Sequence, residues 1–203
     1  MRIDYKTTPL VRVNQLKSNL EAVALLSEEQ KGQVIRGISS EVLESIENEG
    51  RTGWLPVAYD LEMTEAVWRV VGDSGVHEWG RESTVKAMQT SLIGSLLHGA
   101  VKLFKMDPET ALKIAPMAWK SSFRNFGKIT YQMIRDNQVE LRLVDMPLDQ
   151  VNSRPYFLGF AGAFEAFIVL GGFRGSVVME SVSKADKQVV FKGTWIIPAG
   201  SKV

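Results

Sequence analysis

The chain has 203 residues, with 24 Lys and Arg against 23 Asp and Glu, and 45% of its residues are hydrophobic. That is the composition of an ordinary globular protein, and a formal charge of +1, with Lys and Arg scattered among Asp and Glu, gives no general electrostatic reason to bind nucleic acid, which usually requires a basic stripe or patch. The absence of cysteine excludes disulfides, thiolate catalysis and cysteine-based zinc sites. Met1 to Leu10 is charged and polar and lacks the apolar stretch of a signal peptide. A cytoplasmic location and one domain over residues 1–203 are therefore expected.

Residues 1–126 are expected to be mainly helical. Ser27-Glu-Glu-Gln30 has the form of a capping box, and Val34, Ile35, Ile38, Val42 and Ile46 follow at helical spacing until Gly50. After the Gly53-Trp54-Leu55-Pro56 turn, Leu61, Ala66, Val67 and Val70 predict a second helix ended by Gly72. A third helix is expected near Ser74. A longer one is expected near Ser83, with Val85, Met88, Leu92, Leu96 and Phe104 on one side. Asp107-Pro108-Glu109 opens another helix, in which Pro116 predicts a break.

After Gly127 the period changes from helical to alternating. Ile129, Tyr131 and Met133, then Val139, Leu141 and Leu143, predict a hairpin about Asp136-Asn137. Residues 175–183 and 189–196 predict a second hairpin. Between the two lies an apolar helix, Tyr156 to Leu170. Its length approaches a membrane span, but Glu165 at its centre and the stop at Gly171-Gly172 make it a buried helix instead. Helices followed by strand-strand-helix-strand-strand predict an α+β fold, a helical half packed on a twisted antiparallel sheet.

Few residues suggest chemistry. The two histidines, His77 and His98, are too few for a three-histidine metal centre. His77, Glu78 and Arg81 suggest a surface ion pair on a helix. His98 shares a helical face with Ser91, Ser95 and Lys102 that reads as solvated. There is no nucleophile elbow, phosphate loop or dinucleotide fingerprint. Gly171-Gly-Phe-Arg-Gly175 follows a helix and precedes a strand, the reverse of a phosphate loop, and reads as a helix-ending turn. Glu165, inside the apolar helix, must be solvated, protonated or paired, with Arg124 and Arg174 as candidate partners. Gly159, Gly162, Ala163 and Ala166 make that helix narrow enough for another backbone to approach, from the sheet, a neighbouring helix or a second subunit. The five tryptophans are expected in the core.

Three features together with the helical first half resemble a known group. They are Trp119-x-x-x-x-Arg124-Asn125-x-Gly127 leading into the first hairpin, the small-residue helix, and the closing Gly193-Thr-Trp195 strand. The group is a family of similar length abundant in myxobacteria. That family is similar in turn to the superfamily of haem-nitric-oxide-binding domains, four-vinyl-reductase domains and TRAPP vesicle-tethering subunits. The resemblance implies helices on a twisted sheet, a homodimer, and a cavity near the central helix that takes small or lipid-like ligands. It carries over no catalytic residues and no cofactor. The Tyr-x-Ser-x-Arg motif of the haem-binding branch is absent, as is the cysteine of the four-vinyl-reductase branch.

The function expected from the sequence is a non-enzymatic, regulatory module that binds a small apolar ligand or a protein partner. Its cavity or dimer surface should lie near helix 156–170, with Glu165, Phe164, Phe160, Trp119, Arg124 and His98 as candidate ligand-binding residues. The alternatives are an enzyme using Glu165 as a buried acid or base near His98 or Arg124, and a haem sensor through His98.

Overall fold

Three short strands, none anticipated from the sequence, tie the helical half together. β1 (Leu10–Arg12), β2 (Trp54–Pro56) and β3 (Phe123–Arg124) form an antiparallel sheet in the order β2-β1-β3. At two or three residues each, they are too short for alternation to mark them. The structure, a computed structural model, describes residue 4 and residues 6–90, 108–149 and 151–196, without the side chains of 89 and 90.

The helices are α1 (Val13–Val23), α2 (Glu28–Arg36), α3 (Ser40–Asn48), α4 (Val57–Thr90), α5 (Pro108–Lys113), α6 (Ala115–Ser122) and α7 (Arg154–Leu170). The capping box forms as expected: Ser27 Oγ accepts from the Gln30 N–H, and Gln30 Oε1 accepts from the Ser27 N–H, each at 3.3 Å. The single helix expected from Val34 through Ile46 is instead two. Gly37 ends α2, its N–H shared between the carbonyls of Gln33 and Val34, and the Ser39 N–H is taken by Glu62 Oε1 at 2.6 Å. Val34, Ile38, Val42 and Ile46 are nonetheless all buried, so the apolar stripe survives the break.

Gly72 interrupts α4 as expected, with φ of 70°, a conformation that L side chains rarely adopt. The helix beyond it does not restart at Ser83. It runs unbroken past that residue, whose hydroxyl donates to the Gly80 carbonyl one turn back at 3.0 Å. The face expected from Leu92 to Phe104 lies outside the described residues. Pro116 sits in the first turn of α6, and the chain breaks between Lys113 and Ala115 as predicted.

β4 (Lys128–Arg135), β5 (Gln138–Val144), β6 (Arg174–Ser183) and β7 (Gln188–Ile196) form an antiparallel sheet in the order β4-β5-β7-β6. The first hairpin turns at Asn137, with φ of 57°. Val139, Leu141 and Leu143 on β5, Val177 on β6, and Val189 and Phe191 on β7 are buried, and α7 packs against β6 and β7. The protein is α+β: sheet, then α7, then α4, then α1. Among the described residues no helix is long and apolar enough to cross a membrane.

The small residues of α7 serve this layering. A Cβ on Gly162 would collide with the carbonyl oxygen of His77, and one on Gly80 would collide with that of Gly159. The backbone that approaches α7 is therefore α4 of the same chain. The close approach that these small residues allow is thus used within the chain, at Gly162 and Gly80.

Candidate functional site

Tyr156, Phe160, Phe164 and Phe167 recur at helical spacing along α7 and share one side of it. That side borders a cavity of about 550 Å³ enclosed with α1, α4 and α6, within the range of small-molecule sites. Trp119 and Phe123 complete an aromatic wall. The Trp119 ring stands edge-on to Phe160 with centroids 5.0 Å apart, and Phe160 and Phe164 follow at 6.5 Å. Trp119 is held by its indole N–H, which donates to the Phe126 carbonyl at 3.2 Å. Of the candidates read from the sequence, Trp119, Phe160 and Phe164 line this cavity.

The deep end of the cavity is polar. Asp60, 3% exposed, accepts from Asn19 Nδ2 at 2.6 Å and from the Tyr156 hydroxyl at 2.8 Å. Asn19 in turn accepts from Gln15 Nε2 at 2.9 Å, and its carbonyl takes the Trp79 indole N–H at 3.0 Å. Burial pushes the Asp60 carboxyl up to about 6, against the lowering effect of its two hydrogen bonds. The Tyr156 hydroxyl is also pushed up, by burial first and then by the Asp60 charge. This network was missed in the sequence. The signal was available: Asp60 stands at helical spacing with Met63 and Val67, and Asn19 with Leu16 and Val23, placing polar side chains on apolar faces.

The outer edge is cationic. Arg12 and Arg51 line it, and Arg12 lies over the Trp54 ring with its guanidinium carbon 3.8 Å from the centroid. Arg124, exposed on β3, lies over the same ring at 4.1 Å. Burial, and after it the Arg124 charge, lowers the Arg12 pKa. Arg124 is therefore beside the cavity's edge but is not among the residues lining it.

Glu165 does not line the cavity either. Five residues beyond Phe160, it points about 140° around the helix. There it is buried between α7, α4 and β6. Its Oε1 accepts from Arg81 Nη1 at 3.3 Å, and its Oε2 accepts from the Val177 N–H at 3.2 Å. His77 Nε2 lies 3.6 Å from the same Oε2 and 3.1 Å from the Val177 carbonyl oxygen. The partner is thus Arg81, not Arg124 or Arg174. His77 and Arg81 are not merely a surface pair, although Arg81 does also meet Glu78. The carboxylate fastens three elements together. It is not poised as an acid or base facing a ligand.

Removing Arg81 should leave that carboxylate with a backbone N–H and a histidine only. Breaking a buried pair costs about 3–5 kcal/mol. Because the Arg81 side chain is 26% exposed, Arg81→Ala is expected to cost about 2 kcal/mol in urea unfolding. Adding Glu165→Gln should restore part of that loss. No recovery in the double variant would show that Arg81 acts through packing alone.

His98 lies outside the described residues, although Met88 before it and Ile114 after it both line the cavity. Among the described residues no group of three or more His, Asp or Glu is placed to hold a metal ion.

No protein-family model and no curated protein matches the chain. Solved structures do. An Fe(II) unliganded H-NOX protein from K. algicida is 12% identical, with a TM-score of 0.60 over 94% of this chain and 100% of that one. An oxygen-binding H-NOX domain related to soluble guanylate cyclases is 11% identical, with a TM-score of 0.59 over 95% of this chain and 98% of that one. A single-residue variant of Tt H-NOX is 10% identical, with a TM-score of 0.60 over 95% of this chain and 98% of that one. Over nearly its whole length, the chain has the fold of these H-NOX domains.

Proposed function

We propose that the protein is a binding module that takes a small, mainly apolar molecule into the cavity beside α7 and does not transform it. One observation carries this reading: a cavity of about 550 Å³ with an aromatic wall and, at one end, hydrogen-bonding groups already satisfied by one another. Such a cavity offers apolar burial worth about 25 cal/mol per Å². Among the described lining residues no serine or threonine hydroxyl is hydrogen-bonded to a carboxylate or histidine; those of Thr64, Ser83, Thr84 and Ser121 donate to backbone carbonyls. A regulatory role fits a site that binds without turnover.

The neutral dye N-phenyl-1-naphthylamine tests the proposal through its rise in emission on entering an apolar site. Saturable binding is expected in the wild-type protein. Ala163 lines the cavity from α7, so Ala163→Phe should fill part of it and weaken the dye by about tenfold, with an unchanged far-ultraviolet circular dichroism spectrum. Equal binding by the filled variant would sink the proposal.

A second reading, a haem-based sensor through His98, is favoured by the H-NOX fold. One H-NOX neighbour is described as an Fe(II) protein and another as binding oxygen. The described lining does not itself complete a haem site. It contains no histidine, its Met88 and Met117 are the only soft donors there, and a buried carboxylate, Asp60, occupies its deep end. The reading therefore depends on His98. Haem added to the purified protein should give a Soret band that His98→Ala abolishes, and an unchanged band in the variant would remove it.

A further inference from the structure

Two guanidinium groups stand beside the cavity's edge without an ion-pair partner among the described residues. Arg12 and Arg124 both lie over the Trp54 ring, at 3.8 Å and 4.1 Å. Stacking on an aromatic face leaves the edge N–H groups of a guanidinium available. Arg12 spends two of them on carbonyl oxygens, those of Thr52 at 2.6 Å and Ser121 at 3.4 Å. Those carbonyls fix the side chain but bring no negative charge. Arg124 has no side-chain hydrogen bond or ion pair to any described residue. Nearby Arg51, by contrast, is neutralised by Glu21 at 2.6 Å. Like charges near one another are unfavourable, and the Arg124 charge does act on Arg12; local structure keeps the two near each other, because β1 and β3 are adjacent strands and Leu10 pairs with Arg124.

The position of the pair gives it a use. Arg12, Thr52 and Ser121 line the cavity at its outer edge, whereas Asp60 stands at the deep end with both oxygens already bonded. An anionic group would be repelled from that deep end and attracted to the edge. We infer that Arg12 and Arg124 form an anion site, and that the molecule in the cavity is an amphiphile whose carboxylate, or similar oxyanion, rests on these two guanidiniums while its apolar chain lies along the aromatic wall. This rests on the binding module proposed above and adds the chemical class and orientation of the ligand.

Calorimetric titrations at pH 8 with decanoate, decanol and inorganic phosphate separate the contributions. Charge-assisted hydrogen bonds from guanidinium to carboxylate should make decanoate bind at least about tenfold tighter than decanol. Arg124→Ala, an exposed change, should remove most of that preference and leave decanol unaffected. Decanol binding with decanoate no tighter, or a preference that survives Arg124→Ala, would overturn the anion site and leave the binding module standing. Phosphate binding as tightly as decanoate would overturn the link between anion and cavity. Failure of both decanol and decanoate to bind would overturn the module and the anion site together.

Discussion

Gly162→Ala should destabilise the protein by about 3 kcal/mol, the upper end of what overpacking costs, while Gly159→Ala one turn away should not. Both glycines lie in α7 and both are buried. In an isolated helix, alanine would stabilise either position by up to about 1 kcal/mol. What separates them is the space each faces. The added methyl at Gly162 would collide with the His77 carbonyl oxygen and stand 3.0 Å from the Arg81 backbone nitrogen. Backbone atoms inside a helix cannot turn aside as a side chain can, so α4 and α7 would have to separate. Their separation would also pull Arg81 and His77 away from Glu165. The methyl at Gly159 meets only Thr64 Cγ2, at 3.9 Å, an ordinary van der Waals distance. Urea unfolding of the two variants measures the difference directly. Equal midpoints would mean that the helices are not in this close contact.

That contrast also shows what the sequence could and could not convey. The apolar helix, both long hairpins, the capping box at Ser27 and the breaks at Gly72 and Pro116 rest on local patterns that span several residues, and the structure has all of them. Strands β1 to β3 exist only through pairing between residues far apart in sequence, so no local pattern marks them. The break at Gly37 is similar, since it depends on Glu62 capping the Ser39 N–H from another helix. For the site, periodicity leads to Phe160 and Phe164, which lie on the same side of α7. Glu165 stands out in the same helix because it is a charge among apolar residues. Its unusual character reflects a structural ion pair with Arg81, 84 residues away, a partner that spacing cannot reveal. Asp60 is the opposite case. In sequence it looks like a first-turn acidic residue at a helix N-terminus, an ordinary and usually exposed feature, and only the packing of α1 and α7 over it makes it the buried polar end of the cavity.

Asp60 should make the stability of the protein fall as pH rises from about 4 to about 6. Its carboxyl has an ordinary value of 3.8 and is pushed up to about 6 in the folded protein. Between those values the folded state holds a proton that the unfolded chain has released, so raising the pH favours unfolding. The stabilisation is complete below the unfolded value and is lost as the pH passes through the folded one. A shift of about two units corresponds to about 3 kcal/mol. Other groups also titrate in this window, so the comparison to make is wild type against Asp60→Asn. The amide is neutral throughout, and the Tyr156 hydroxyl can rotate to accept from it. The difference in unfolding free energy between the two proteins should therefore move in favour of Asp60→Asn as the pH is raised, and level off above about 7. Tyr156→Phe supplies the sharper test. It removes the hydrogen bond that does more to hold the Asp60 pKa down, so the falling limb should shift to higher pH. A difference curve that is flat across the window, or a limb that Tyr156→Phe leaves in place, would mean that Asp60 is solvated and that the cavity's deep end is wet.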